Sequence, residues 1–149
     1  MGLINRFNIR VYGLFINDEN QILLADEFVL NRYMTKFPGG GLEFGEGPVD
    51  CLRREAREEM GQDIEVISHY YTTDYFQKAL FYEDTQLISI YYLAQLTKPE
   101  LLNYKNKPLD IPRIEGSMAF RWVNIEDLEH EDLSFPIDKL VAKLLKQTF

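Results

Sequence analysis

Cysteine, histidine and tryptophan are nearly missing: the 149 residues contain one Cys, two His and one Trp. With Cys51 alone, no disulfide can close within the chain. That sets aside the disulfide-stapled secreted scaffolds and suits a reducing, cytoplasmic setting. His69 and His130 stand far apart without ligand spacing, so neither is given a metal-binding role. No apolar run reaches the roughly 18 residues that a membrane-spanning helix needs. The N-terminal stretch MGLINRFNIRVYGLF has no apolar segment followed by a small-residue cleavage site, so neither a span nor a secretory leader is expected. Met1-Gly2 does not make a myristoylation signal, because Arg6 stands where Ser or Thr is usual. Positive charge is also scarce, with 16 Lys and Arg against 24 Asp and Glu for a net charge of -8. That balance argues against a nucleic-acid backbone as partner, since phosphate contacts are made by basic patches. A phosphorylated small molecule stays compatible, because a bound divalent metal reverses the local sign.

What is present describes one packed domain over 1–149: 46% of the residues are apolar and 13% aromatic. The ten Phe and nine Tyr favour sheet. FNIRVYGLFI (7–16) reads as a strand, NDEN as a turn, and QILLADE as a second strand that closes a hairpin with the first. VLNRYMTKFPGGG then reads as a loop, with a short strand over 36–42. The stretch 48–60 reads as a helix, with Pro48 in its first turn, Asp50 at the positive end of the dipole and Gly61 at its C-terminal cap. Strands follow at 63–76 and 86–96. A long proline-bearing excursion covers 97–116, MAFRWVNI is a last strand, and NIEDLE begins a short helical turn. An amphipathic helix ends the chain with Ile137, Leu140, Val141, Leu144 and Leu145 on one face. The order of elements implies an α/β domain with a curved mixed sheet between helices.

The informative stretch is GGGLEFGEGPVDCLRREAREEMG, 39–61. On a helical wheel Val49, Leu52, Ala56 and Met60 share one face, and Glu55, Glu58 and Glu59 cluster on another. Like charges at i, i+3 and i, i+4 cost roughly 0.2–0.5 kcal/mol per pair. These also sit in the half of the helix where the dipole disfavours negative charge. Helix stability alone therefore does not account for them. Arg54, four before Glu58, offsets part of the charge. A hard divalent cation that prefers oxygen ligands, Mg²⁺ or Mn²⁺, offsets more. Taken alone, REAREE also fits a solvated helix face; the glycines ahead of it shift the weight, because they let backbone approach a ligand closely.

The spacing Gly40, Glu46, then Arg54-Glu55-Ala56-Arg57-Glu58-Glu59-Met60-Gly61, preceded by FPGG, resembles the Nudix box, G-x5-E-x7-R-E-U-x-E-E-x-G-U with U a bulky aliphatic residue. Two packing positions depart from it. Ala56 replaces a larger aliphatic, and Gln62 stands where the last aliphatic is usual. The resemblance covers 40–62 and implies a Nudix-type α/β/α sandwich. It implies hydrolysis of a phosphoanhydride in a nucleoside diphosphate linked to a moiety X, of nucleotide-sugar or ADP-ribose type. The alternatives are a nucleoside triphosphate pyrophosphohydrolase and a non-catalytic ligand sensor, against which the intact glutamates count. It puts Glu55, Glu58 and Glu59 on Mg²⁺ (or Mn²⁺), with the backbone of Gly40 as a further ligand. Arg54 orients the glutamates, Glu46 supports the loop–helix geometry, and Gly61 ends the helix. A metal-activated water attacks phosphorus; Glu58 is the candidate base within the box and Glu115, in RIEGSMAFRW, the candidate outside it. For the rest of a small nucleotide substrate, the expected contacts are Gly39, Gly40, Arg10, Tyr33 and Phe76, with Phe7, Tyr91 and Trp122 as further aromatics. No nucleic-acid or membrane partner is expected, and the resemblance allows a homodimer.

Overall fold

The computed structural model describes residues 3–149; the Met1-Gly2 opening considered above lies outside them. Among the described residues the elements run β1 (Arg6–Phe15), β2 (Gln21–Val29), β3 (Arg32–Lys36), β4 (Gly39–Gly41), α1 (Pro48–Met60), β5 (Ile64–Thr72), β6 (Thr85–Leu96), β7 (Met118–Asn124) and α2 (Pro136–Thr148). This is the α/β class expected from the sequence. The strands divide between a four-stranded sheet of order β4-β1-β6-β5 and a three-stranded sheet of order β3-β2-β7. Backbone contacts group the chain into two compact units. One holds the N-terminal strand through Gly13 together with Gly39–Thr97, and the other holds Leu14–Pro38 and Lys98–Phe149.

In the first unit, β4 is a strand made of glycines, paired antiparallel with β1 in the register Arg10 to Gly41, Val11 to Gly40 and Tyr12 to Gly39. Gly39 sits at φ 151°, and a Cβ there would run into the Val11 carbonyl and the Tyr12 ring, so only glycine lets the two strands close. Helix α1 has the bounds read from the sequence. Gly47 N–H is taken by the Asp50 carboxylate at 3.0 Å, and Gly61 closes the helix at φ 67°, ψ 25°, its N–H donating to Arg57 O. The buried face differs from the expected one: Cys51, Leu52 and Ala56 are buried, while Val49 and Met60 are only partly so. The thiol of Cys51 is small and weakly polar, which lets it turn toward the glycine strand. Gln62, in an aliphatic's place, is buried as well. β5 is an edge strand, shorter than expected, and its pairing with β6 slips twice, between Val66 and Ser68 and between His69 and Tyr71. Such bulges twist an edge away from further pairing.

In the second unit, β2 is central and flanked by β3 and β7. Two expectations fail here. The expected hairpin of the first two strands is a single bridge, Ile16 to Ile22, because β1 pairs with β4 and β6 while β2 pairs with β3 and β7. The stretch read as a loop from Val29 onward is instead a two-residue hairpin turn. Leu30 and Asn31 both have positive φ, 53° and 59°, and the turn feeds β3, which pairs with β2 from Val29–Arg32 back to Ala25–Lys36. Both-positive turns fit the twist of paired strands, but leucine is a poor marker of one. Ile137, Val141, Ala142 and Leu145 of α2 are buried, with Leu140 and Leu144 partly so.

The excursion 97–116 is tied to the second unit's sheet. Leu109 N–H donates to Asp26 Oδ2 (3.0 Å), Tyr33 Oη to Ile111 O (3.5 Å), and the Arg113 guanidinium lies 5.1 Å from the Phe28 ring centre. Asp26, only 1% exposed, also takes Arg121 Nε at 2.7 Å and Thr35 Oγ1 at 2.6 Å.

Candidate active site

The first unit gathers the acidic motif around Arg54. Its Nε and Nη2 donate to the two oxygens of Glu46 at 3.0 and 2.8 Å, a two-pronged pair. Nη1 donates to Glu55 Oε1 at 3.0 Å and more weakly to Glu58 at 3.3 and 3.4 Å. Nη2 also reaches Gly41 O at 3.1 Å, and Glu43 Oε1 lies 3.7 Å from Nη1. Glu46 closes the loop ahead of the helix by accepting the Glu43 N–H at 2.9 Å. One guanidinium therefore joins the loop, the glycine strand and the helix. The pairing with Arg54, followed by the Glu43 N–H, holds the Glu46 carboxyl down at about 2, and the same bond raises Arg54 further above its ordinary value.

Position 40 shows why a glycine precedes the helix. A Cβ on Gly40 would overlap the carboxylate of Glu55, with Oε2 at 2.8 Å and Oε1 closer still. The bare backbone is what lets Glu55 come down against the strand. Cys51, three residues before Arg54 on the same helix, donates its thiol to Gly41 O at 3.5 Å. Burial, and then the Glu46 charge, push that thiol up to about 12.

Glu55 is mostly sheltered, with 13% of its side chain exposed, whereas Glu58 is 58% exposed. Among the described residues no three His, Cys, Asp or Glu side chains converge on a common point; Arg54 draws Glu55 and Glu58 toward itself. The donor chemistry nonetheless fits a hard divalent cation: carboxylates spaced along one helix, with that of Glu55 against the bare backbone of Gly40. Glu59 adds a carboxylate oxygen, Oε2, that is buried and accepts no hydrogen bond, although the residue has other contacts.

Of the remaining expected residues, Arg10 lies directly across from Gly41. Phe76 is in the same unit, 62% exposed on the segment after β5. Phe7 is 69% exposed, and Tyr91 is fully buried, stacked on Tyr12 at 5.2 Å. Tyr33, Trp122 and Glu115 belong to the other unit. There Tyr33 packs edge-on against Phe28 at 5.0 Å. Glu115 Oε1 accepts the Leu30 N–H at 2.9 Å and so holds the hairpin turn. Sequence reasoning missed Glu43, the Cys51 thiol and the phenol of Tyr12, which holds Arg10. Helical spacing from Arg54 could have found Cys51.

The family model of the NUDIX domain matches residues 6–144. The chain belongs to the Nudix family. A solved structure of a NUDIX hydrolase from Nitrosomonas europaea superposes with a TM-score of 0.69, covering 96% of this chain and 90% of that one at 16% identity. MutT from methicillin-resistant Staphylococcus aureus 252, described as a family Nudix hydrolase, reaches a TM-score of 0.62 at 25% identity over 97% of this chain and 99% of that one. Among curated proteins, the RNA pyrophosphohydrolase of Ruthia magnifica subsp. Calyptogena magnifica is 44% identical over 52 residues, 35% of this chain. That match spans only 28% of the relative's length. The Nudix fold is therefore shared along the chain, while likeness to the named enzyme is confined to one segment. Among the described residues no helix is long and apolar enough to cross a membrane.

Proposed function

We propose that this Nudix domain hydrolyses a phosphoanhydride bond in a nucleoside diphosphate linked to a moiety X. The observation that carries this reading is the seating of the Glu55 carboxylate against bare Gly40 while Arg54 holds it. The bare backbone at position 40 leaves this carboxylate beside main chain rather than beside a packed side chain. Glu55, Glu58, Glu59 and the Gly40 carbonyl would hold Mg²⁺ or Mn²⁺. When bound, such an ion neutralises phosphate oxygens and lowers the pKa of a coordinated water.

The chain's own residues do the rest. Glu46 and Arg54 fix the loop and helix relative to each other, so the carboxylates are placed before substrate arrives. Glu58, largely exposed and only weakly bonded to Arg54, is the box carboxylate best able to turn and accept a proton. Glu115, which accepts the Leu30 N–H in the other unit, is the candidate outside the box, and wild-type turnover in Glu115→Gln would remove it from the mechanism. The lone buried thiol suits a reducing, cytoplasmic setting.

A second reading, a phosphoanhydride at the end of an RNA chain, is favoured by the name of the curated relative, RNA pyrophosphohydrolase. The net charge of -8 weighs against it. The deciding experiment is phosphate release, with coupled phosphatase and magnesium. The panel is ADP-ribose, nucleotide sugars, nucleoside triphosphates and a 5′-triphosphorylated oligoribonucleotide. Preferred cleavage of ADP-ribose or a nucleotide sugar supports the first reading, and preference for the oligonucleotide supports the second. Cleavage of none of them overturns both in favour of a ligand sensor.

A further inference from the structure

We infer that the first unit docks on a second copy of the same chain through the ribbon that joins β5 to β6. Backbone bonds order this ribbon. Leu87 N–H donates to Gln77 O and Ala79 N–H to Thr85 O, both at 2.8 Å, and Lys78 bridges Gln86. Its alternation runs the wrong way for a surface that meets only water. Ala79 is buried, and Gln77 and Phe81 are partly so, while Phe76, Leu80 and Tyr82 are 62%, 54% and 57% exposed. The water-facing set of an extended segment is ordinarily polar. Tyr75, also exposed, precedes this stripe. Asn5 and Arg6 both donate their N–H groups to Asp84 O, which brings exposed Leu3 and its neighbours alongside the turn. Exposed apolar residues scattered singly need no partner, but a gathered set of them marks an interaction surface.

The charges along the ribbon select the occupant. Lys78 and Glu83 stand on either side of Leu80 and Tyr82 in the sequence. Both are exposed, and among the described residues neither makes an ion pair within its own chain. Arg6 and Asp84 neutralise each other at 3.2 Å. Single opposite charges flanking an apolar centre are self-complementary: a two-fold axis through that centre sets Lys78 of each copy against Glu83 of the other. The chain carries a net charge of -8, so most of its surface repels a second copy, whereas this balanced face does not. The ribbon has no cluster of basic residues for an anionic lipid surface or a nucleic-acid backbone. A whole aromatic side chain offers about 150–250 Å². On that scale the exposed parts of Leu3, Tyr75, Phe76, Leu80 and Tyr82 supply on the order of 500 Å². The flanking charged side chains bring the face toward the roughly 800 Å² per partner of a standard interface.

Sedimentation velocity of the full chain across the micromolar range should show a monomer–dimer equilibrium. Leu80→Asp and Tyr82→Asp put a charge at the centre of the face and should weaken the dimer by at least about tenfold. The melting temperature should hold, because both side chains face water. Lys78→Glu and Glu83→Lys should each weaken it by about threefold or more, since like charges then meet at both ends of the interface. Mixed in equal amounts, these two variants should recover the wild-type constant, because every pair across a mixed dimer is again opposite in sign. A carbodiimide should join Lys78 to Glu83, and a mixture of isotopically heavy and light chains should yield joined peptides with one label from each. A chain that stays monomeric throughout overturns the inference. So does a dimer that ignores both Leu80→Asp and the charge exchange; where Leu80→Asp does not fold, the charge exchange alone decides. Vesicles of phosphatidylcholine and phosphatidylserine should leave the chain in solution. A monomer that floats with them, and no longer does so as Tyr82→Asp, overturns the second copy in favour of a lipid surface.

Discussion

Two arginines organise the two units in opposite ways. Arg121 meets a single carboxylate, Asp26, in a buried setting completed by Thr35 Oγ1 and Leu109 N–H. Charge is matched one to one, and each partner lies within a few ångströms of a group that needs it. Arg54 meets Glu46, Glu55, Glu58 and Glu43 in a half-open setting. Negative charge is in excess there, and the glycine strand beside it has no side chains to fill the space. The first arrangement is complete as a piece of structure. The second leaves negative charge over after Arg54 is engaged, which under the proposed function a divalent cation would offset. Residue types alone do not separate the two; charge balance and exposure do.

The sharpest way to break this comparison is to remove carboxylates from the second cluster. Glu58→Gln or Glu59→Gln should cut turnover by about a hundredfold or more, the scale of metal and acid–base contributions. Phosphate-release kinetics would show this, with the melting temperature nearly unmoved. Wild-type turnover in either variant would remove that residue from the mechanism.

The converse holds for the buried pair. Asp26→Ala leaves Arg121 buried without its partner and should cost about 3–5 kcal/mol of stability, measured by urea unfolding. If Asp26→Ala instead spared stability and destroyed activity in folded protein, the division between the two clusters would be wrong.

Gly40→Ala sharpens the contrast from the side of the backbone. The added methyl meets the movable end of Glu55 rather than packed backbone. Unfolding free energy should therefore change by less than about 1 kcal/mol, while kcat falls by about tenfold or more as Glu55 is displaced.

The smallest effect concerns pH. The Glu46 carboxyl is held at about 2, below its ordinary 4.5. A depressed carboxyl contributes stability above its unfolded pKa and loses it as pH falls through the folded one. In Glu46→Gln the decline of the urea midpoint between about pH 4.5 and pH 2 should be shallower than in the wild type. An identical slope would mean that the bond to Arg54 does not couple to folding.

Much of the acidic cluster was legible in the sequence because it is local. Pro48 and Gly61 punctuate α1, and helical spacing alone brings Glu55, Glu58 and Glu59 to one side. The Asp26–Arg121 pair was not legible. Its partners lie 95 positions apart, and nothing in either neighbourhood announces the other. The β2–β3 hairpin was missed for a different reason: its turn places Leu30 in a conformation that leucine seldom marks. The split of β1 and β2 between sheets also escaped. Short apolar runs report that a strand exists and not which neighbour it chooses. Arg10 is one polar residue among many in the sequence, and only strand register places it opposite Gly41.

The buried thiol on α1 has a practical corollary. Burial holds Cys51 as the thiol well above the ordinary range, so little reactive thiolate is present near neutral pH. Alkylating reagents would therefore label the chain only when the helix lifts from the glycine strand. Because the molecule has no other sulfhydryl, the labelling rate is a built-in clock for the opening of that joint, readable by mass spectrometry without an engineered probe.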